Sequence, residues 1–600
     1  MNEVALQPRR IGSVNAALVT DLCVIALLWC VGIFIVNPIG NFPIIDDELF
    51  QPSVKYLLET GHYRPPESTM AFFTNLLWGA LFGLPAGASF TALRISTLCA
   101  SLLGLFGLYT LVRELGQPRW VRWVVTLTLA VNPAFYALSH SFMTDLLFVA
   151  ICLWAAVFFA RSLKSGSDFE IVLGTLLALA ATLSRQIGPA IPLAFGFALI
   201  LKRGITRQTM LRAVAPVVLC AVCLFGYYHY LAVTGRLPAT YDMFTKLEIS
   251  TFTHSQTLFT TPISNFYCDA VYLGLFLLPV LLCTTGGVYR SATKGALALA
   301  AVGVAIVVLG GVVRTHLGST AFMPLPEGHV LRKTGIGLLW MRGADHVLPL
   351  PQAFWVCVTV LAFVGTALLI FHLSVWVLAV ARSLLRRIPM SESARTDTAR
   401  TETEIATLFL LSCGVILAAP YTGIRTTDRY LISCLPFLAA GIVSLRATLP
   451  GALSELGKPV RYGTFALLAA CGIFVVIGTR DYLAWHRVSA QAAQDLMETG
   501  HVAAENIDGG IEFDFLYPAP VSREEVLKKL DKVVHDRPQY FFTEPLRQQF
   551  AVLIADGWRP ASPQYLVAFA PVPGYRVMRE YAYDNWMPRQ VRKIVVLQKE

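Results

Sequence analysis

Charged residues are scarce in this 600-residue chain: Asp, Glu, Lys and Arg make up 14% of it, whereas hydrophobic residues make up 55%. A soluble protein carries about 25% charged residues. A single aqueous core cannot bury so much apolar surface, but a bilayer can face it, because side chains in contact with lipid need not be polar. The composition therefore excludes an ordinary soluble enzyme and predicts an α-helical polytopic membrane protein.

Several functional signatures are also missing. None of the twelve cysteines follows Arg480, so no disulfide framework is expected in the last part of the chain. We find no Walker A, GxGxxG or HExxH motif in a suitable context, which leaves ATP-driven transport without support. The net charge is +10, but the basic residues lie mainly in short loops between apolar runs. That distribution is typical of membrane topology and gives no reason to expect a nucleic-acid partner.

Thirteen apolar runs are candidates for membrane-spanning helices, although some are shorter than the roughly 20 residues that a span needs. They cover residues 16–36, 90–112, 120–137, 142–160, 171–183, 190–201, 214–233, 270–288, 296–313, 354–380, 405–419, 430–445 and 465–477. The apolar stretch 70–84 is short and bounded by prolines, so it is predicted to be an interfacial or re-entrant helix.

The distribution of basic residues predicts the orientation of these spans. The loops richer in Lys and Arg share one side with the N-terminus, which is therefore expected in the cytoplasm. An odd number of spans then places the C-terminal region outside. We predict a transmembrane domain over 1–480, with a first extracytoplasmic loop at 37–89, and a small soluble α/β domain over 481–600. Within that domain, helices are predicted at 484–498 and 524–535, and strands at 540–543, 565–569 and 593–597.

Acidic residues stand out at two places on the predicted outer face. Asp46, Asp47 and Glu48 follow the first span, where three adjacent acids are costly so near lipid unless they are solvated or used. They are candidates for a general base or an acidic substrate site, with a solvated loop as the equal alternative. Asp145 begins a predicted helix, where a carboxylate can also serve simply as a favourable N-terminal charge.

Arginines are expected on the same face. Arg185 occupies a tight corner between two spans, where the broken helix ends leave backbone N–H groups free and favour a phosphate site. The alternative is an arginine that reaches to lipid headgroups. Arg425 and Arg429 precede the run that begins at Tyr430, and Arg94 lies in the first turns of another helix. Acids and arginines from four separate stretches are thus expected to converge on one membrane surface.

These motifs resemble those of the GT-C glycosyltransferases, in particular the protein-mannosyltransferase and aminoarabinose-transferase superfamily. The resemblance rests on the first-loop acids, followed by "YLLETGHY" and "FGLPAGASFTALRIS", and on "SFMTDLLF", "LSRQIGP" and "DRYLISCLPF". It covers most of the membrane region and is weakest over residues 234–400. Two features depart from the family: Arg185 stands where lysine is usual, and the Lys-Pro-Pro that commonly follows the first acidic motif is absent.

The resemblance implies transfer of a sugar from a polyprenyl-phosphate carrier to an extracytoplasmic glycan, lipid or protein, with inversion at the anomeric carbon. Asp47 or Asp46 is the expected general base, and Asp145 belongs to the family's second acidic site. The residues expected to bind substrate are Glu48, Arg94, Arg185, Arg425, Arg429 and Tyr430. No cofactor is expected, and a divalent metal is not favoured. The expected location is a bacterial inner membrane, with the active site on the periplasmic or outer face.

Two other functions would share some of these features. A secondary transporter of a lipid or glycan precursor would also have a dozen spans, but it predicts ionisable groups near the middle of the bilayer and paired broken helices, which the sequence lacks. A non-catalytic assembly protein could keep a GT-C-like scaffold without activity. The sequence leaves the donor sugar, the acceptor and the oligomeric state open.

Overall fold

The structure is a computed structural model that describes residues 16–66, 69–238, 241, 260–386, 398–423, 426–448, 457–518 and 563–600. Arg425 lies outside the described residues, as do the helix expected at 524–535 and the strand expected at 540–543.

The described chain is mainly helical. Its helices are, in order, α1 (Ala16–Val36), α2 (Asp47–Thr60), α3 (Phe73–Gly83), α4 (Phe90–Glu114), α5 (Arg119–Ala130), α6 (Pro133–Leu138), α7 (Thr144–Ser165), α8 (Asp168–Ser184), α9 (Ala190–Arg203), α10 (Arg207–Val233), α11 (Thr260–Arg290), α12 (Lys294–His316), α13 (Gln352–Arg386), α14 (Thr398–Gly423), α15 (Leu435–Thr448), α16 (Lys458–Glu498) and α17 (Ile511–Leu516). Among the described residues, nine helices are long and apolar enough to cross a bilayer: α1, α4, α7, α10, α11, α12, α13, α14 and α16.

All thirteen predicted apolar runs fall on helices, and the predicted fold class of a polytopic helical membrane protein is confirmed. The four runs outside the nine long helices correspond to α8, α9, α15 and the pair α5 and α6. That pair divides the single span expected at 120–137. The side chain of Asn132 accepts a hydrogen bond from the backbone N–H of Phe135 at 3.0 Å, and Pro133 follows as the first residue of the new helix.

Helices that lie next to each other in the bundle come from distant parts of the chain as well as from neighbouring ones. The main neighbours are α4 with α7, α7 with α8, α9 with α10 and α14, α11 with α13, and α14 with α15. The short helix expected at 70–84 is present as α3, which packs against α2 and α4. Side chains on the facing surfaces of these helices form one continuous apolar core.

The last long helix, α16, has 41 residues and is therefore about 60 Å long, roughly twice the thickness of the hydrocarbon layer. It continues without a break through residue 480, where the boundary between the predicted domains was placed. The helix expected at 484–498 is its C-terminal part. Buried residues are concentrated in this second part, where α16 packs against a small β-sheet.

The β-structure lies beside that part of α16. Strands β1 (Leu331–Arg332) and β2 (Gly335–Ile336) form a short hairpin between α12 and α13. The four-stranded sheet contains β3 (Ile507–Asp508), β4 (Tyr565–Ala568), β5 (Tyr575–Trp586) and β6 (Arg589–Lys599), in the order β3-β4-β6-β5. The strands expected at 565–569 and 593–597 are present as β4 and part of β6, and β5 was not predicted.

Polar contacts join this sheet to the helices and to the 317–351 segment. The carboxylate of Asp481 in α16 accepts hydrogen bonds from the backbone N–H groups of Trp586 at 2.9 Å and Met587 at 2.7 Å. Arg342, in the segment between α12 and α13, forms an ion pair of 2.7 Å with Asp508 of β3. Middle and C-terminal parts of the chain therefore meet at one end of the helix bundle.

Candidate active site

Asp47, the first residue of α2, holds the first loop against the start of α7. Its side chain is fully buried and accepts hydrogen bonds from the backbone N–H groups of Ile44, at 3.3 Å, and Phe142. A guanidinium nitrogen of Arg94 lies 3.8 Å from the same carboxylate. Burial raises the pKa of Asp47 to about 7, although Arg94 and the two N–H groups oppose that rise. These contacts give Asp47 a supporting position and leave it no exposed surface for a substrate.

Arg94 supports the same loop. Its guanidinium donates hydrogen bonds to the backbone carbonyls of Pro38 at 3.2 Å, Gly40 at 2.8 Å and Phe42. It also lies over the ring of Phe42, with its central carbon 4.4 Å from the ring centroid, and the whole side chain is buried. The geometry therefore does not support the expected contact of Arg94 with substrate, because its donors already hold the backbone of residues 38–42.

Asp46 points in a different direction from its neighbour. Its Oδ2 lies 2.7 Å from Nη1 of Arg429, so one ion pair joins residues that are 383 positions apart. The adjacent Asp428 fixes this region, because its carboxylate accepts hydrogen bonds of 2.6–3.1 Å from three consecutive backbone N–H groups, at residues 329–331. Unlike Asp47, Asp46 keeps 19% of its side chain exposed.

A second ion pair joins Asp145, in the first turn of α7, to Arg185 at the C-terminal end of α8. The other carboxylate oxygen of Asp145, Oδ2, is buried without a hydrogen-bond partner among the described residues. The corner that carries Arg185 is very tight. A β-carbon at Gly188 would lie 2.5–2.7 Å from atoms of Thr182, so a larger residue there would force α8 and the start of α9 apart.

Tyr430 connects the two ion pairs. The central guanidinium carbon of Arg429 lies 5.2 Å from the centroid of its ring, and that of Arg185 lies 5.6 Å away. Tyr421, at the end of α14, stacks on Tyr430 with the ring centroids 4.9 Å apart. We call Asp46, Asp145, Arg185, Arg429 and Tyr430 the arginine cluster.

The arginine cluster is partly open and electrostatically coupled. The side chains of Arg185 and Arg429 are 19% and 13% exposed. Burial alone would lower the pKa of Arg429, but the nearby Asp46 and Asp145 carboxylates raise it above its ordinary value, so this arginine stays charged. Two permanent cations with planar, forked donors can hold the oxygens of a phosphate group. The neighbouring carboxylates can then accept a proton or a hydroxyl hydrogen bond.

Glu48 lies in a second polar group beside the cluster. It is 5% exposed and faces Glu512 of α17, which in turn lies 3.4 Å from the ring of His486 in α16. Burial raises the pKa of Glu48 well above its ordinary value, and the neighbouring acids raise it further. Sequence reasoning missed Glu512, His486 and Tyr421, because no motif connects them to residues hundreds of positions away.

The acidic residues near the cluster do not gather into a metal-ligand set. Within the described ranges, no group of three or more His, Cys, Asp or Glu side chains has an arrangement that could hold a metal ion. Asp46 and Asp145 are the carboxylates of the cluster that could contact a cation brought in with a substrate.

Comparison with known proteins gives one family. Residues 69–228 match the family described as dolichyl-phosphate-mannose-protein mannosyltransferase. A search of characterised proteins by sequence gave no match.

Solved structures that resemble the chain have low identity. They include ArnT from Cupriavidus metallidurans bound to undecaprenyl phosphate, at 13% identity, covering 98% of both chains with a TM-score of 0.38. The archaeal oligosaccharyltransferase AglB from Archaeoglobus fulgidus shows 14% identity over 92% of this chain and 69% of its own, with a TM-score of 0.41. The S. cerevisiae protein O-mannosyltransferase Pmt1-Pmt2 complex shows 13% identity over 43% and 38%, with a TM-score of 0.27.

The family match covers the segment that supplies Asp145 and Arg185 to the arginine cluster, and it agrees with the family predicted from the motifs. The matched segment also includes the helices α7 and α8, which carry those two side chains. The chain is therefore a multi-pass helical membrane protein, and residues 69–228 are similar to the family described as dolichyl-phosphate-mannose-protein mannosyltransferase.

Proposed function

We propose that this enzyme transfers a sugar from a polyprenyl-phosphate carrier to a hydroxyl-bearing acceptor, with inversion at the anomeric carbon. The observation that carries the proposal is the placement of Arg185 and Arg429 on one tyrosine ring, each paired with a carboxylate from another part of the chain. The description of the matched family, which names a dolichyl-phosphate sugar, supports a polyprenyl-phosphate donor.

The two guanidinium groups suit the leaving group of this reaction. Negative charge develops on the carrier phosphate as the bond between the anomeric carbon and the phosphate oxygen breaks. Arg185 and Arg429 stabilise that charge, because their partly buried position strengthens electrostatic attraction relative to water. Their location at the ends of membrane helices allows the isoprenoid tail to remain in lipid while the phosphate reaches the cluster.

Asp46 is the general base in this proposal. The acceptor hydroxyl attacks the anomeric carbon, its proton passes to the carboxylate of Asp46, and the phosphate leaves with the electron pair of the broken bond. Asp46 is preferred over Asp47 because it is partly exposed and belongs to the arginine cluster. Asp47 is enclosed by Arg94 and two backbone N–H groups. Asp145 orients Arg185 and offers its second carboxylate oxygen to the substrates.

The proposal places the cluster on the non-cytoplasmic face, because the loops richer in Lys and Arg lie on the opposite side. In a bacterium this is the periplasmic face of the inner membrane, where a glycan, lipid or protein acceptor is available. Residues from about 481 then form an extracytoplasmic domain on the projecting end of α16. Transfer is proposed to proceed without a bound divalent metal, so a chelator should leave the rate unchanged.

The test is transfer of radiolabelled sugar in proteoliposomes, with a panel of polyprenyl-phosphate sugars and acceptors from the host envelope. We expect transfer by the wild type and a large loss in Arg429→Gln. The matched control is Arg64→Gln, which removes one positive charge from an exposed position in the first loop. Transfer by Arg429→Gln at the wild-type rate would show that the cluster does not act on the phosphate.

A further inference from the structure

The C-terminal region contributes a buried polar group to the edge of the arginine cluster. Helix α17 packs on α2, and α16 lies beside both. Four polar side chains meet there: Glu48 from α2, Glu512 from α17, and Tyr482 and His486 from α16. Each is at least 94% buried. An acidic group in such a place must be paired or protonated, because isolated buried charges are costly.

His486 connects α16 to Glu512 of α17. Its Nδ1 lies 2.9 Å from the backbone carbonyl of Tyr482, which can only accept, so Nδ1 carries a hydrogen. Its Nε2 faces Oε1 of Glu512 at 3.4 Å. The contact between these two atoms connects α16 to α17 at the position where α17 packs on α2.

Glu48 has no comparable partner. Its Oε2 is buried and makes no hydrogen bond among the described residues, and the same is true of the hydroxyl of Tyr482. Burial and the nearby Glu512 and Asp46 keep the pKa of Glu48 well above its ordinary range. A neutral carboxylic acid at Glu48 can donate a hydrogen bond, whereas a carboxylate would face other acids without compensation.

The other ionisable groups around Glu48 do not offset the effect of burial on its pKa. Asp47 lies beside it on α2, and Arg94, the charged residue that α4 directs to this region, is already engaged with Asp47. Asp514 of α17 accepts a hydrogen bond from the backbone of Gly509, at 3.2 Å. The third helix that packs on α2, α3, contains no ionisable residue. The positive charge of Arg429 is engaged by Asp46.

We propose that Glu48, Glu512 and His486 form a proton-holding cluster through which the C-terminal region positions the first loop, and thereby Asp46, in the active site. These are positioning residues, and the proposal rests on the proposed role of Asp46. With Glu48 protonated, α17 stays against α2 and the Asp46–Arg429 pair is aligned. Loss of the proton puts a carboxylate opposite Glu512 and Asp46, separates the helices and misplaces the base.

This arrangement predicts an alkaline loss of transfer that depends on Glu48. The variant Glu48→Gln keeps the hydrogen-bonding shape of the neutral acid but cannot ionise, so the alkaline limb of its kcat profile should move to higher pH. His486→Gln should lower kcat by roughly tenfold to a hundredfold, because the base is misplaced, with little change in donor KM. Glu505→Gln, which neutralises an exposed acid of the same region, is the control and should match the wild type. A Glu48→Gln profile identical to the wild-type profile would overturn the proposal.

A second measurement does not depend on transfer. Infrared spectra of the purified protein at about pH 8, above the pKa of about 7 at Asp47, should contain the band of a protonated carboxyl group. The band should be weaker in Glu48→Gln and unchanged in Glu505→Gln. Its absence from the wild type, or an equal intensity in Glu48→Gln, would contradict the proton-holding cluster. A wild type that shows the band but transfers no sugar would instead count against the proposed function.

Discussion

Substitution of the adjacent acids Asp46 and Asp47 by asparagine should affect two different properties: catalysis at Asp46 and stability at Asp47. Asp46→Asn removes a partly exposed base, whereas Asp47→Asn removes the anion that faces the buried Arg94. The two substitutions have the same size and charge change and lie one residue apart. Their comparison therefore separates catalysis from support of the loop.

The structure gives the expected magnitudes. In Asp47→Asn, Arg94 remains fully buried without its anion, which costs about 3–5 kcal/mol in buried pairs. The NH2 group of the new amide also replaces one of the two carboxylate oxygens. The backbone N–H of Ile44 or Phe142 then loses its hydrogen-bond acceptor. The side chains of Asp46 and Arg429 keep 19% and 13% of their surface exposed, so water can reach the unpaired guanidinium, and the loss should be smaller than at Asp47, about 1–3 kcal/mol. Loss of a general base should lower the transfer rate by about 10²–10⁴-fold.

Both properties can be measured on the same preparations. Thermal unfolding in detergent should show a larger loss of stability for Asp47→Asn than for Asp46→Asn. Initial rates in proteoliposomes, corrected for folded protein, should show the large defect in Asp46→Asn. An Asp46→Asn variant with full activity, or an Asp47→Asn variant as stable as the wild type, would refute this division of roles.

Two further predictions follow from individual contacts. Arg185→Gln should lower kcat by about 10²–10³-fold, measured in the same transfer assay, because one of the two cations that stabilise the departing phosphate is lost. Asp428→Ala removes the acceptor of three backbone N–H groups and should cost about 1–3 kcal/mol, seen as a lower unfolding temperature and faster proteolysis of the 317–351 segment.

The membrane fold could be predicted from composition because long apolar runs have few alternatives to spanning helices. The helix boundaries that differ from the prediction lie where polar residues interrupt or follow such runs. The division of the 120–137 run depends on the Asn132 cap and Pro133, and the length of α16 depends on a sheet that covers its polar half. Strand β5 alternates weakly and has many exposed residues, so its pairing with β6 decides its structure more than its own sequence does.

The candidate site was predictable in outline but not in its roles. The sequence predicted that Asp46, Asp145, Arg185 and Arg429 lie on one membrane surface. In the structure these residues form two ion pairs, and Tyr430 lies between the two arginines. The sequence could not distinguish the role of Asp46 from that of Asp47, because side-chain direction at the start of α2 depends on the backbone of the preceding loop. The direction of the Arg94 side chain could not be predicted either, so its position on the outer face indicated a contact with substrate. Its partners are backbone carbonyls, which no sequence pattern identifies.

The most direct test of the central claim is binding of radiolabelled polyprenyl phosphate to the purified protein in nanodiscs. The account predicts that the double variant Arg185→Gln, Arg429→Gln loses most of the affinity of the wild type, whereas Arg64→Gln binds normally. It also predicts that a polyprenol without phosphate competes poorly with the labelled lipid. Equal binding of polyprenyl phosphate by the wild type and the double variant would contradict the claim that these two arginines hold the carrier phosphate.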